Sequence, residues 1–132
     1  MAEGLARAIL PESVEIASAG NETAAEKIYP MAVMVMDEWN IDLRRQQSKT
    51  LAEIQKSGFD TLIGLFAESD SLRRFEARER LFWPVADPRK VEISSRARLL
   101  AFRSCRDEIA RRILDFCHFR DIEPCWKPPA VD

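Results

Sequence analysis

The chain has 132 residues, with 20 Lys and Arg against 22 Asp and Glu for a formal net charge of −2, and it is 46% hydrophobic and 32% charged. This is the composition of a soluble globular domain long enough for one core, and the near-balanced charge lacks the basic footprint of a nucleic-acid binder. The longest strictly apolar run, residues 31–36, falls far short of the roughly 20 residues that a membrane span needs. The first residues, Met1-Ala2-Glu3-Gly4-Leu5, contain neither a basic region nor a long apolar stretch, so no secretory signal is read and a cytoplasmic location is expected. Three cysteines, Cys105, Cys117 and Cys125, then read as free thiols and not as a disulfide framework.

Residues 2–10 read as a helix, since Met1, Leu5, Ala8 and Ile9 share one face, and Pro11 ends it. The alternation in Ser13-Val14-Glu15-Ile16-Ala17 predicts a short strand, closed by a turn at Ser18-Ala19-Gly20. Pro30 opens a second helix through about Trp39, apolar nearly all round and so expected to be deeply buried. Thr50 caps a short helix over 51–57, with Glu53 completing a capping box and Gly58 as the stop signal.

Residues 59–66 form an apolar run bounded by turn signals, the pattern of a strand buried on both faces of a parallel sheet. Ser69-Asp70 caps a charged helix through about Glu79. Leu81-Phe82-Trp83 is a short strand, and Pro84 and Pro88 bracket a loop. The last helix is capped by Ser94 or Ser95. Leu99, Phe102, Ile109, Ile113 and Phe116 mark its buried face, with Cys105 on or near it, while Arg96, Arg103, Arg106 and Arg111 lie off it. From His118 onward Pro124, Pro128 and Pro129 predict an irregular tail that hangs loose. The expected organisation is one domain over 1–117 and a tail over 118–132. Helices alternating with strands indicate an α/β domain with a mainly parallel sheet flanked by helices.

An ordered set of segments carries a family resemblance. It runs from Met1-Ala2-Glu3-Gly4 and its helix through Val14-Glu15-Ile16-Ala17-Ser18-Ala19-Gly20 and Pro30-Met31-Ala32-Val33. It continues in Asn40-Ile41-Asp42, Gln47-Ser48-Lys49-Thr50-Leu51 and Phe59-Asp60, then Trp83, Asp87-Pro88, Phe102-Arg103 and Arg106-Asp107-Glu108-Ile109. The set resembles the low-molecular-weight protein tyrosine phosphatases and the thioredoxin-coupled arsenate reductases that share their fold. The resemblance implies a phosphotyrosine phosphatase I-like sheet of order 2-1-3-4. It also implies an active-site loop of Cys, five residues and Arg, whose thiolate attacks phosphorus while an aspartate from an Asp-Pro loop protonates the leaving oxygen.

No Cys-x5-Arg stands before or near the first helix, and no cysteine occurs between residues 1 and 104. The expected fold is therefore that of the family with its first, central strand missing. Strands pair about 4.8 Å apart, so its loss leaves a gap of roughly twice that between neighbours whose backbone groups need partners. A start placed downstream of the true one is the favoured account of the gap; closing-up of the two neighbouring strands and donation of a strand by another chain are the alternatives.

By resemblance Asp87 is the general acid, held by Pro88. Trp83 flanks the substrate, and Ser18, Ser48 and Pro88 support the loop. Read from the residues alone, Asp87 is a turn residue, Trp83 a core aromatic, Ser18 a strand-end turn and Lys49 a solvated charge. Arg89 and Lys90, just after Asp87-Pro88, put cations at the rim. Cys117, His118 and Cys125 fit no zinc spacing, so no metal and no cofactor is expected. The arsenate reductases relay a disulfide through cysteines just after the strand at 59–66, where this chain has Phe66.

Three functions remain open. The first is phosphate-monoester hydrolysis, by a complete form but not by these 132 residues, on a phosphorylated protein or a small aryl phosphate. The second is a non-catalytic binding or regulatory module, able to form homo-oligomers by strand pairing. The third is a relative of the arsenate reductases. Neither a nucleic-acid nor a membrane partner is expected.

Overall fold

The structure is a computed structural model of the chain, which describes residues 1–20, 28–47, 49–54, 58–66 and 70–129. Its elements run α1 (Ala2–Ile9), α2 (Pro30–Asp37), α3 (Leu51–Ile54), β1 (Thr61–Gly64), α4 (Asp70–Arg74), β2 (Glu79–Phe82), a single 3-10 turn (Pro88–Lys90) and α5 (Ser95–Phe119). They divide into two compact units: Met1–Ile16 with Ile28–Gln46 and Asp87–Asp132, and Ala17–Lys27 with Gln47–Ala86.

The first unit is helical, with α1 and α2 both packed on α5. Leu5, Ile9, Val35, Met36, Leu43, Phe102, Ile109, Ile113 and Cys117 form its core. Gly4 lets α1 come close, because a Cβ there would meet Leu43 Cδ2 at 2.7 Å. Pro30 starts α2 as expected, from a position where its missing N–H costs nothing. The helix closes on Asn40 in the left-handed region (φ 58°), with Ile41 N–H donating to Met36 O at 3.0 Å and Asn40 N–H to Asp37 O at 2.9 Å. That pair of bonds is a Schellman closure.

α5 ends in the same way. Asp121 has φ 52°, and Ile122 N–H donates to Cys117 O at 2.9 Å. Its start follows the sequence, with the Ser94 hydroxyl accepting from Ala97 N–H at 3.0 Å. Two expectations for this region fail. Arg106 is not off the packed face but buried, its guanidinium 3.9 Å from the Trp39 ring centroid and bonded to Val35 O, Glu38 and Asp107. Two helices pack on α5, so its buried arc is wider than one apolar stripe, and the arginine stem fills it while the head finds acceptors. The tail does not hang loose either. Irregular after the closure, it docks, with Cys125 N–H donating to Ile9 O at 2.8 Å and Trp126 lying 6.0 Å from Trp39 between ring centroids.

The second unit holds the sheet. β1 and β2 pair in parallel, in the register Thr61 with Glu79 through Gly64 with Phe82, and α4 lies between them in the chain. Phe75 is buried beneath and sits 5.5 Å from Phe59. The capping box at α3 forms as read, with Thr50 N–H donating to Glu53 Oε2 at 2.9 Å and Glu53 N–H to Thr50 Oγ1 at 3.3 Å. Gly58 follows with φ 103°, which suits only glycine.

β1 differs from the doubly buried strand expected over 59–66. It is shorter and half-buried throughout, and among the described residues it has a ladder partner on one side only. β2 begins two residues before the expected Leu81. The segment 13–17 forms no strand: it turns at Glu12 and Ser13, then runs without regular structure to a single parallel bridge between Gly20 and Thr50. Its alternation encodes an extended backbone, but a strand also needs a neighbour along its length. Ser48, Ser69 and the last three residues of the helix expected over 51–57 lie outside the described residues.

Candidate functional site

Asp87 leads the 3-10 turn. The following proline disfavours helical backbone for it, and it adopts φ −71°, ψ 111°. That geometry turns its carboxylate back over the turn, where Oδ1 accepts from Arg89 N–H at 3.0 Å. The Arg89 guanidinium then grips the same group, with Nε 3.1 Å from Oδ1 and Nη2 2.9 Å from Oδ2. The Asp87 side chain is 11% exposed and that of Arg89 54%. Pro88 is buried, anchoring the loop.

The consequence for chemistry is direct. The Arg89 side-chain bond, helped by the backbone bond and by the charges of Arg89 and Lys90, holds the Asp87 carboxyl below the usual aspartate range. A group that donates a proton near neutral pH needs the opposite shift. As it stands, Asp87 is an ionised acceptor. Sequence reasoning placed Arg89 and Lys90 as cations at the rim and missed this grip. The signal was available in Asp-Pro-Arg: an aspartate before proline tends to close an Asx turn on the residue two positions on.

Trp83 and Ser18 belong to the second unit. Trp83 is half-buried at the end of β2, its N–H donating to Gly64 O at 2.8 Å. Ser18 is half-buried in the irregular segment before the bridge at Gly20. Ser48 lies outside the described residues.

No thiol faces solvent in a form suited to attack, apart from Cys125. Cys105 lies buried on α5, as its position on the core face foretold, and burial pushes its thiol up to about 11. The Met1 amino group opposes that shift, while Asp87 and Glu108 add to it. Cys117 is buried and shifted upward for the same main reason. Cys125 is exposed. Cys105 and Arg111 do have five residues between them, but inside α5. Six steps of about 100° put them roughly 120° apart around the helix axis and about 9 Å apart along it, so they do not converge on one anion. Arg111 is instead exposed and pairs with Glu108. Among the described residues no group of three or more His, Cys, Asp or Glu side chains could hold a metal ion, and no helix is long and apolar enough to cross a membrane.

Comparison with known proteins gives the family. A sequence model described as low molecular weight phosphotyrosine protein phosphatase matches residues 1–122. The chain belongs to that family. Within it, the chain is 32% identical over 118 residues to an arsenate reductase of Halalkalibacterium halodurans, covering 88% of this chain and 84% of that protein. It is 25% identical over 115 residues to a glutaredoxin arsenate reductase of Synechocystis sp., covering 86% and 82% respectively. Its fold matches that of an arsenate reductase in the oxidised state with a TM-score of 0.69 at 22% identity, over 89% of this chain and 86% of that one. The α/β fold expected from the sequence is therefore that of the family.

Proposed function

We propose that this chain serves arsenate reduction in preference to phosphate-ester hydrolysis. The carrying observation is the sequence likeness to the Halalkalibacterium halodurans arsenate reductase, which spans nearly the whole chain. Arsenate and phosphate are tetrahedral oxyanions of similar charge, and a scaffold that handles one can handle the other. The difference lies in electrons. Reducing arsenate takes two, which two thiols supply as they become a disulfide and an arsenate oxygen leaves as water.

In this reading Asp87 supplies the proton to the departing oxygen. Pro88 fixes the Asp87 turn; the family resemblance assigns Trp83 to flanking the anion and Ser18 and Ser48 to bracing its loop. By the family resemblance the attacking thiolate belongs to an N-terminal Cys-x5-Arg loop, which these 132 residues do not contain. In this reading the second thiol is external, in preference to Cys125, the exposed cysteine of the tail. Cys105 and Cys117 are buried with their thiols shifted upward, and Phe66 stands at the relay position. A soluble thiol carrier of the glutaredoxin kind, as in the name of the Synechocystis relative, suits that arrangement.

Hydrolysis of an aryl phosphate is the second reading, supported by the family description and by the retained Asp87-Pro88 pair. One experiment separates the two. The protein is prepared with the family's Cys-x5-Arg segment joined ahead of Met1. It is then assayed for arsenate-dependent oxidation of reduced glutaredoxin and for p-nitrophenyl phosphate hydrolysis. Arsenate-dependent oxidation is expected, and Asp87→Ala should slow it about 100-fold or more, the scale of a lost general acid. Ester hydrolysis without thiol oxidation would reverse the assignment. An unchanged rate in the variant would remove Asp87 from its role. The 132-residue chain by itself is expected not to hydrolyse aryl phosphates.

A further inference from the structure

An acid that must carry a proton and an arginine that keeps it ionised are in conflict. We propose that Arg89 is a displaceable latch: it holds the Asp87 carboxylate while the site is empty and transfers its fork to a tetrahedral oxyanion when one binds, which frees Asp87 to take up a proton. Arg89 is thus a positioning residue for the proposed reaction, and the inference rests on the reading of Asp87 as its acid.

Three features support transfer over a permanent pair. The guanidinium makes a two-pronged contact, Nε and Nη2 on the two carboxylate oxygens, and the same fork fits two oxygens of phosphate or arsenate equally well. The arginine side chain is more than half exposed while the carboxylate is largely covered, so solvent and solutes reach the cation first. The neighbouring Lys90 is exposed and adds a second positive charge to the same turn. The charged and titratable groups felt at Asp87 are Arg89 and Lys90 on its own turn and Cys105 on α5. Once the guanidinium leaves, the Arg89 backbone N–H and Lys90 still favour the carboxylate, and the burial of the side chain opposes them. Arriving negative charge then favours protonation.

The test reads the Asp87 carboxyl carbon and the Arg89 Nε–H by NMR in the 132-residue chain at pH 7, with inorganic phosphate and, separately, arsenate added at constant ionic strength. The latch predicts that both signals move together and saturate with either anion. If only one anion acts, it is the oxyanion the latch admits. Arg89→Ala should abolish the response, and Arg89→Lys should weaken it, because a point charge lacks the fork. Asp87→Asn removes the competitor for Arg89 and should tighten anion binding roughly two- to fivefold, the worth of a partly exposed ion pair. In an Arg89→Ala background the same substitution should tighten nothing. No saturable response in the unaltered chain, or equal tightening in both backgrounds, overturns the latch. The readout is independent of turnover: a latch that works in a protein without arsenate-dependent thiol oxidation would overturn the functional reading alone. Asp87-dependent turnover without this coupling would overturn the latch alone.

Discussion

Cys105 illustrates how burial decides what a residue can do. Its thiol is nearly sealed on α5, and transferring a thiolate into that setting is so unfavourable that the group titrates only at about 11. In the unfolded chain a cysteine titrates near 8.5. Above that value the unfolded state has lost a proton that the folded state retains, so stability falls as pH rises. This contribution is fully present below the unfolded value and is lost progressively as pH climbs towards the folded one. Cys105→Ala should therefore flatten the decline of urea-unfolding stability through this alkaline window. An equally steep decline in the variant would show that other groups cause it. The same burial predicts that iodoacetamide at neutral pH labels Cys125 long before Cys105 or Cys117. The position of Cys105 was legible in the sequence because helical spacing places residues on faces. Of the environment of Asp87, the Asx turn on Arg89 N–H was legible in Asp-Pro-Arg, but the guanidinium grip was not, because spacing does not say which way a neighbouring arginine folds.

Helix ends show a similar division at the scale of the element. The starts were readable: Ser94 accepts from Ala97 N–H, and Thr50 and Glu53 exchange bonds as a capping box, both from residue types with little else to do at those positions. The closures of α2 and α5 were less so, because each uses a non-glycine residue in the left-handed region, Asn40 and Asp121. Without a glycine to mark the stop, the sequence could be read as ending α5 early, and the helix runs on to Phe119. Left-handed backbone costs an L-residue roughly 1 kcal/mol. Asp121→Gly should accordingly stabilise the chain by a few tenths to about 1 kcal/mol, seen as a higher urea midpoint with unchanged slope. A lower midpoint would mean that the aspartate side chain contributes more at this closure than the backbone strain costs. The strands were harder to read for another reason. The apolar run at 59–66 and the alternation at 13–17 mark backbone able to be extended, whereas pairing depends on what lies alongside, as the single bridge at Gly20 illustrates.

At the scale of the whole molecule, Trp39 in the helical unit gathers three parts of the chain that are far apart in sequence. It follows α2, the Arg106 guanidinium of α5 lies 3.9 Å over its ring, and Trp126 of the tail approaches to 6.0 Å from the other side of the sequence. Arg106 is held in place by Val35 O at 2.8 Å and by Glu38, which Arg103 also grips at 2.6 Å. Side-chain bonds from Arg103 and Arg106 hold the Glu38 carboxyl below its usual range, so the network keeps its charges at neutral pH and weakens as acid protonates that carboxylate. None of this was readable from a tail rich in proline, since docking depends on an aromatic partner more than eighty positions earlier. If the tail contributes as its contacts imply, Trp126→Ala should lower the unfolding free energy by about 1–3 kcal/mol, less than a fully buried tryptophan because Trp126 remains partly exposed. Arg106→Met keeps the stem but loses the cation over the ring, and should cost about 2–3 kcal/mol because Val35 O and Glu38 lose a charged donor. The two substitutions act on one ring, so their combined cost should differ from the sum by more than about 0.5 kcal/mol. Simple additivity, or a Trp126→Ala chain as stable as the parent, would mean that the tail rests on the helical unit without holding it.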